Sequence, residues 1–295
     1  MVAFPTETVY GLGADASNPA AVARIYAVKG RPSSHPVIVH IGGAVEMDRW
    51  AREVPAHAAA LAARFWPGPL TLVLRRASGV GDELTGGQDT IGLRVPGHPV
   101  ALELLREFGG GIAAPSANRF GRISPTTANH VRNDLGPDVD LILDGGACEI
   151  GIESTIVDVS RGVPVLLRPG RIGASEIAAA IGVAPRPPDS HAPRAPGTLE
   201  AHYAPQRPLR LVPPREWDLL NPSRCGVMSF RSRPAGDASA AWIRAPSDPE
   251  RYGHDLYANL RALDSSECEE ILVEEPPSSA EWSAIRDRLT RARSS

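Results

Sequence analysis

Residues 183–208 read VAPRPPDSHAPRAPGTLEAHYAPQRP, with seven prolines in twenty-six positions, and this density constrains the fold on either side of it. Proline fixes φ and removes a backbone donor, so such a run sustains neither a helix nor an internal strand. The sequence therefore predicts two folded parts, residues 1–184 and 209–295, joined by a proline-rich linker at 185–208.

Short apolar runs alternate with helical patterns through the first part. Strands are expected at 2–4, 36–41, 70–76, 90–96, 112–116, 141–146, 154–160 and 164–170, and helices at 19–30, 55–65, 99–109, 126–136 and 174–182. Several of these helices start after Pro, Ser or Thr and stop at Gly, as capping requires. The order is not a strict βαβ repeat, so the expected class is α/β with a mixed sheet. The tail repeats the alternation on a smaller scale, with strands at 225–230, 241–246 and 269–276 and helices at 251–264 and 280–293. Val2-Ala3-Phe4 already reads as a buried strand with nothing upstream to flank it, which suggests a chain that begins inside a domain.

Net charge is −3, a poor footprint for a protein whose main task is gripping a nucleic-acid backbone. Cys148, Cys225 and Cys268 are widely spaced and form no CxxC pair, so neither a disulfide framework nor a thiolate metal site is suggested. No apolar run approaches the roughly 20 residues of a membrane span, and MVAFPTETVYG lacks the features of a signal peptide. A soluble cytoplasmic protein is expected.

The usual phosphate-loop, zinc-helix and serine-elbow motifs are absent. Polar clusters fall instead at strand ends, where open α/β sheets bind ligands. PTETVYGLG (5–13) carries Thr6, Glu7, Thr8 and Tyr10. KGRPSSHP (29–36) carries Lys29, Arg31 and His35, and Lys29 is the single lysine of the chain beside thirty arginines. Arg94 closes TIGLRVP; Ser116 and Asn118 stand in APSAN, with Arg122 and Ser124 following; Ser154 and Thr155 open one strand, and Arg168 ends another. Several cations and hydroxyls without a metal cage suit a triphosphate and a carboxylate, with Mg²⁺ arriving on the phosphates.

These stretches, together with WPGPLT (66–71), LRVPGHP (93–99), APSANRFGRISPT (114–126) and the run from ESTIVDVS to LLRPGRIG, resemble the YrdC-type threonylcarbamoyl-AMP synthases, and HYAP (202–205) with the tail resembles the longer two-domain branch. The resemblance implies a twisted mixed sheet with a concave electropositive cleft, then a small Rossmann-like domain. It implies a reaction joining L-threonine, bicarbonate or CO₂ and ATP into threonylcarbamoyl-AMP with release of pyrophosphate. A separate transferase complex would then modify tRNA, with no direct need for tRNA in this step.

Carried over residue by residue, the resemblance sets threonine against Thr8, His40, Arg94, Ala114 and Ser154. It sets ATP against Lys29, Arg31, His35, Thr90, Ser116, Asn118, Ser124, Arg168 and Tyr203, with Lys29, Arg31, Ser116 and Asn118 as the catalytic set. Arg94 would grip the threonine carboxylate, Lys29 and Arg31 the phosphates, and the HYAP segment would act as a lid. His35 replaces an asparagine common in the family, and GTLEA (197–201) lacks the basic residues many relatives carry there. Two other functions fit the same fold: a non-catalytic RNA-binding module and a carbamoyl transferase.

Overall fold

The computed structural model describes residues 1–198, 202–220 and 222–293. They divide into two compact units, one of residues 1–120 and 125–198, the other of residues 121–124 and the chain from 199 onward. Leu199, Glu200 and Ala201 of GTLEA lie outside the described residues.

In chain order the first unit runs β1 (Val2–Phe4), β2 (Gly11–Asp15), α1 (Pro19–Lys29), β3 (Ile38–His40), α2 (Met47–Trp50), α3 (Ala56–Phe65), β4 (Leu70–Arg75), α4 (Asp82–Thr85), β5 (Thr90–Arg94), α5 (Pro99–Phe108), β6 (Ile112–Ala113), α6 (Ala128–Asp134), β7 (Leu141–Ile142), β8 (Thr155–Asp158), β9 (Val165–Arg168) and α7 (Ala174–Ile181). Its nine strands form one mixed sheet in the order β7-β1-β2-β6-β3-β5-β4-β8-β9. Parallel pairs such as β3 with β5 sit beside antiparallel ones such as β4 with β5, as the irregular sequence order predicts.

Strand alternation decides what each face carries. Val39, Leu70, Leu72, Leu74, Ile91 and Leu93 pack into the main core with residues such as Val22 and Ile25 of α1 and Leu61 of α3. Ile38, Val73, Ile156 and Leu167 belong to a smaller cluster that also takes in Ala195. Residues 185–198 thus belong to the first unit: the Arg194 amide donates to Gln88 Oε1 at 2.6 Å, and Gln88 Nε2 donates back to the Arg194 carbonyl at 3.1 Å.

Strand β2 is absent from the sequence expectation because GLGAD has poor strand propensity. Its glycines are there for space: a Cβ on Gly13 would lie 2.8 Å from both Ile112 Cγ2 and Phe4 Cε1. The second unit holds β10 (Leu209–Val212), β11 (Cys225–Ser229), β12 (Ala241–Arg244), α8 (Pro249–Asp264), β13 (Glu270–Glu274) and α9 (Ser283–Ala292). Its four strands are all parallel in the order β10-β13-β11-β12, a small Rossmann-like sheet. Strand β10 escapes sequence reading because Pro208 and the Pro213-Pro214 pair hide it.

Candidate active site

Register places five of the expected residues, His40, Thr90, Arg94, Ser154 and Arg168, on one face. Ile38 pairs with Gly92 and His40 with Arg94, Val73 pairs with Gly92, and Ile156 pairs with both Thr71 and Arg168. With a side-chain period of two, His40, Thr90, Arg94, Thr71, Ile156 and Arg168 therefore share the face opposite the main core. Ser154, two residues before Ile156, joins them: its hydroxyl lies 2.8 Å from Thr71 Oγ1 and accepts from Arg168 Nη2 at 3.1 Å. Arg168 Nε also donates to the Ser154 carbonyl at 3.0 Å. Ala114 donates its amide to the Ile38 carbonyl at 3.0 Å, which brings the 114–118 segment to the same strand.

Arg94 is 4% exposed and anchored on three sides. Nη2 donates to Glu7 Oε1 at 2.6 Å, Nη1 to Thr8 Oγ1 at 3.0 Å and Nε to the Gly68 carbonyl at 3.2 Å. The Gly97 amide donates to the other Glu7 oxygen at 2.8 Å. A guanidinium has five N–H donors, so among the described residues two remain, one on each terminal nitrogen. That is the geometry of a two-point carboxylate grip. Glu7, a carboxylate between two threonines at a strand end, gives no sequence sign of this role because its partner is 87 residues away.

His40 lies edge-on to Phe4 with ring centroids 5.9 Å apart, and its Nδ1 is buried without a hydrogen-bond partner among the described residues. Burial, then the Arg94 charge, lowers its pKa to about 3, so it is a neutral imidazole at physiological pH.

The second cluster forms where α1 ends. Asn18 caps the start of this helix, accepting from Ala20 and Ala21, and Gly30 ends it at φ 62°, a left-handed turn that suits glycine. Lys29 is thereby the last helical residue, 3% exposed, and Nζ donates to the Ser116 carbonyl at 2.5 Å and to the Asn118 carbonyl. Burial, followed by the Arg31 charge, pushes its pKa well below the ordinary lysine value.

Arg31 donates to the Pro36 carbonyl at 2.7 Å and lies 5.8 Å from the centre of the Phe120 ring. His35 meets the same ring at 5.6 Å. Its pKa is lowered, by burial first and then by Arg31 and Arg194. Tyr26 fixes this loop by donating towards the carbonyls of His35 and Glu83.

Ser124 and Tyr203 fall in the second unit. Tyr203 is buried there, stacked on Tyr257 at 5.8 Å with the Arg288 guanidinium 5.3 Å above its ring. The remaining expected residues belong to the first unit, which gathers two kinds of group: a buried guanidinium held by Glu7, Thr8 and Gly68, and buried cations with hydroxyls and amides around them.

A mixed α/β sheet carrying buried cations and hydroxyls, joined to a small parallel α/β unit, is the architecture of a nucleotide-using class of enzyme. The family model described as "Telomere recombination" matches residues 1–170, and that described as "Threonylcarbamoyl-AMP synthase, C-terminal domain" matches residues 172–294. The chain belongs to the threonylcarbamoyl-AMP synthase family. It is 41% identical over 310 residues to the threonylcarbamoyl-AMP synthase of Bacillus subtilis (strain 168), covering 99% of this chain and 89% of that protein. With the enzyme of the same name from Pyrococcus abyssi it shares 38% identity over 309 residues, 99% of this chain and 90% of that one. The crystal structure of P. abyssi Sua5 complexed with L-threonine matches at a TM-score of 0.92 and 38% identity, covering 99% of this chain and 89% of that chain.

Proposed function

We propose that this chain is an L-threonylcarbamoyladenylate synthase, a nucleotidyltransferase that makes threonylcarbamoyl-AMP and pyrophosphate from L-threonine, bicarbonate or CO₂, and ATP. The observation that carries the reading is Arg94, held on three sides with one N–H left on each terminal nitrogen, on the same sheet face as His40, Ser154 and Arg168. Family membership over nearly the whole chain supports it.

In this reading Arg94 binds the threonine carboxylate, while Thr8, His40, Ala114 and Ser154 shape the pocket around the amine and the hydroxyl. Fixing the carboxylate leaves the amine free to bond to the carbon of CO₂ and form a carbamate. A carbamate oxygen then attacks the α-phosphorus of ATP. The bond from that phosphorus to the bridging oxygen breaks, and its electrons leave with pyrophosphate. Arg31, Arg168 and Lys29 stabilise the charge that builds on the phosphates, with His35, Thr90, Ser116 and Asn118 orienting the nucleotide. Ser124 and Tyr203 are assigned to the nucleotide on the family resemblance alone.

Mg²⁺ belongs to this proposal as the ion that travels with ATP. The described residues hold no group of three or more His, Cys, Asp or Glu side chains placed to bind it, and the side chains gathered here suit phosphates rather than the ion. When bound, it would add positive charge at the departing pyrophosphate.

The product would pass to a tRNA threonylcarbamoyl transferase complex, with tRNA itself unnecessary for its formation. Among the described residues no helix is long and apolar enough to cross a membrane, and a cytoplasmic place is proposed. The test is to incubate the protein with ATP, threonine and ¹³C-bicarbonate and identify the product by mass spectrometry. A labelled threonylcarbamoyl adenylate, formed equally with and without tRNA, is the expected result. AMP without the labelled adduct, or a strict need for carbamoyl phosphate, would contradict it.

A further inference from the structure

The side chain of Lys29 has two hydrogen-bond partners among the described residues, the carbonyls of Ser116 and Asn118. A protonated lysine offers three N–H donors, whereas the free amine offers two and a lone pair. At a position 3% exposed to solvent, two acceptors match the free amine, and the ammonium would leave one buried donor without a mate. The charged groups acting on Lys29 are Arg31 beyond the end of α1, Arg119 beyond Asn118 and Asp134 at the end of α6. Two cations thus outnumber one carboxylate, and burial acts in the same direction. Arginine, the basic residue at every other such position in the chain, cannot lose its proton in a protein.

The Ser116 carbonyl that accepts from Lys29 stands on the same segment as Ala114, which the synthase reading assigns to threonine. Ser116 follows Ala114 by two residues along a segment tied to neighbouring strands by the Ala114 amide bond to Ile38 and the bridge from Ser116 to Gly11. Positions two apart on an extended chain face the same way and lie about 7 Å apart, so the groups that Ala114 and Ser116 hold are neighbours in this reading.

We propose that Lys29 rests as a free amine and accepts the proton that the threonine ammonium must lose before it can bond to CO₂. The proposal rests on the synthase reading. The proton passes from the threonine nitrogen to Lys29 Nζ, directly or through one water, leaving a neutral threonine amine and a lysine ammonium. The amine lone pair forms the N–C bond to CO₂, and the second proton of that nitrogen leaves to water as the carbamate forms. The ammonium created on Lys29 then faces the phosphates when pyrophosphate departs, and it returns to the free amine by giving its proton to water after release.

Because Lys29 is the single lysine, protein labelled with ¹³C and ¹⁵N in lysine alone yields one side-chain signal. In the ligand-free wild-type protein that signal is expected at the free-amine position at pH 7. An ammonium signal that persists through neutrality and titrates near the ordinary lysine value of about 10.4 overturns the proposal, whether or not the protein turns over. The second measurement is the pH profile of Lys29→Arg. This variant should lose roughly 10²-fold or more in threonine- and bicarbonate-dependent turnover at pH 7 and recover part of it as rising pH frees the threonine amine in solution. The wild-type rate should stay flat over the same range. An arginine variant with the wild-type pH profile removes the proton-acceptor role, while pyrophosphate release that needs no threonine in the wild type removes the synthase reading instead.

Discussion

At the scale of single residues, the Arg94–Glu7 pair is the feature that sequence inspection reached only halfway. Arg94 announces itself as a charge closing an apolar strand, but its partner is distant in sequence and joined to it only by the folding of β5 against the loop after β1. Both side chains are buried, so Glu7→Ala should destabilise the protein by about 3–5 kcal/mol in a denaturant titration, since it leaves an uncompensated buried cation. Arg94→Lys keeps the charge and loses the fork; threonine KM should rise roughly 10-fold or more with little change for ATP. Equal changes for both substrates would move Arg94 to the nucleotide side. His40 gives a pH signature of definite sign. Its folded pKa of about 3 lies below the ordinary value of 6.5, so between these limits the unfolded chain takes up a proton that the folded one refuses. Stability contributed by this group is therefore complete above pH 6.5 and falls as the pH drops towards 3, by at most about 1.4 kcal/mol per pH unit. Comparing wild type with His40→Gln across that window should show a shallower acid slope in the variant.

At the scale of elements, helix α1 exists to deliver Lys29 and Arg31 to one place, and its boundaries were legible because Asn18, Pro19 and Gly30 are strong punctuation. The left-handed turn at Gly30 has open space around it, so Gly30→Ala meets a conformational penalty and no clash. It should cost about 1–2 kcal/mol in stability and lower turnover by disturbing the cation pair, measured by thermal melting and pyrophosphate release. The strands at Gly11–Asp15 and Leu209–Val212 were illegible for opposite reasons. The first is built from glycines selected for close approach to Phe4 and Ile112, and the second is short and framed by prolines. In both, the strand is fixed by its neighbours in the sheet and local propensity contributes little.

At the scale of the whole molecule, the proline-rich run stands out in the sequence because proline density excludes regular structure whatever surrounds it. What composition could not convey is that residues 185–198 lie against the first sheet. Ala195 packs with Ile38 and Ile156, Arg168 donates to the Pro196 carbonyl at 2.8 Å, and Arg186 exchanges amide bonds with the strand edge at Pro164 and Leu166. A chain ending at Thr198 should therefore melt higher than one ending at Ala184, with a difference of a few kcal/mol in stability. Identical melting would show that this segment rests on the sheet without stabilising it.

The account as a whole depends on one chemical claim, that threonine and bicarbonate are joined to AMP at the expense of the pyrophosphate bond. The most direct measurement is pyrophosphate release from ATP by the purified full chain, with threonine and bicarbonate each left out in turn and valine or serine offered in place of threonine. Release should require both components, proceed at the same rate without tRNA, and fall more for valine than for serine, because a pocket built to pair a hydroxyl rejects a methyl in its place. Release that continues without threonine, or that begins only when tRNA is added, would contradict it.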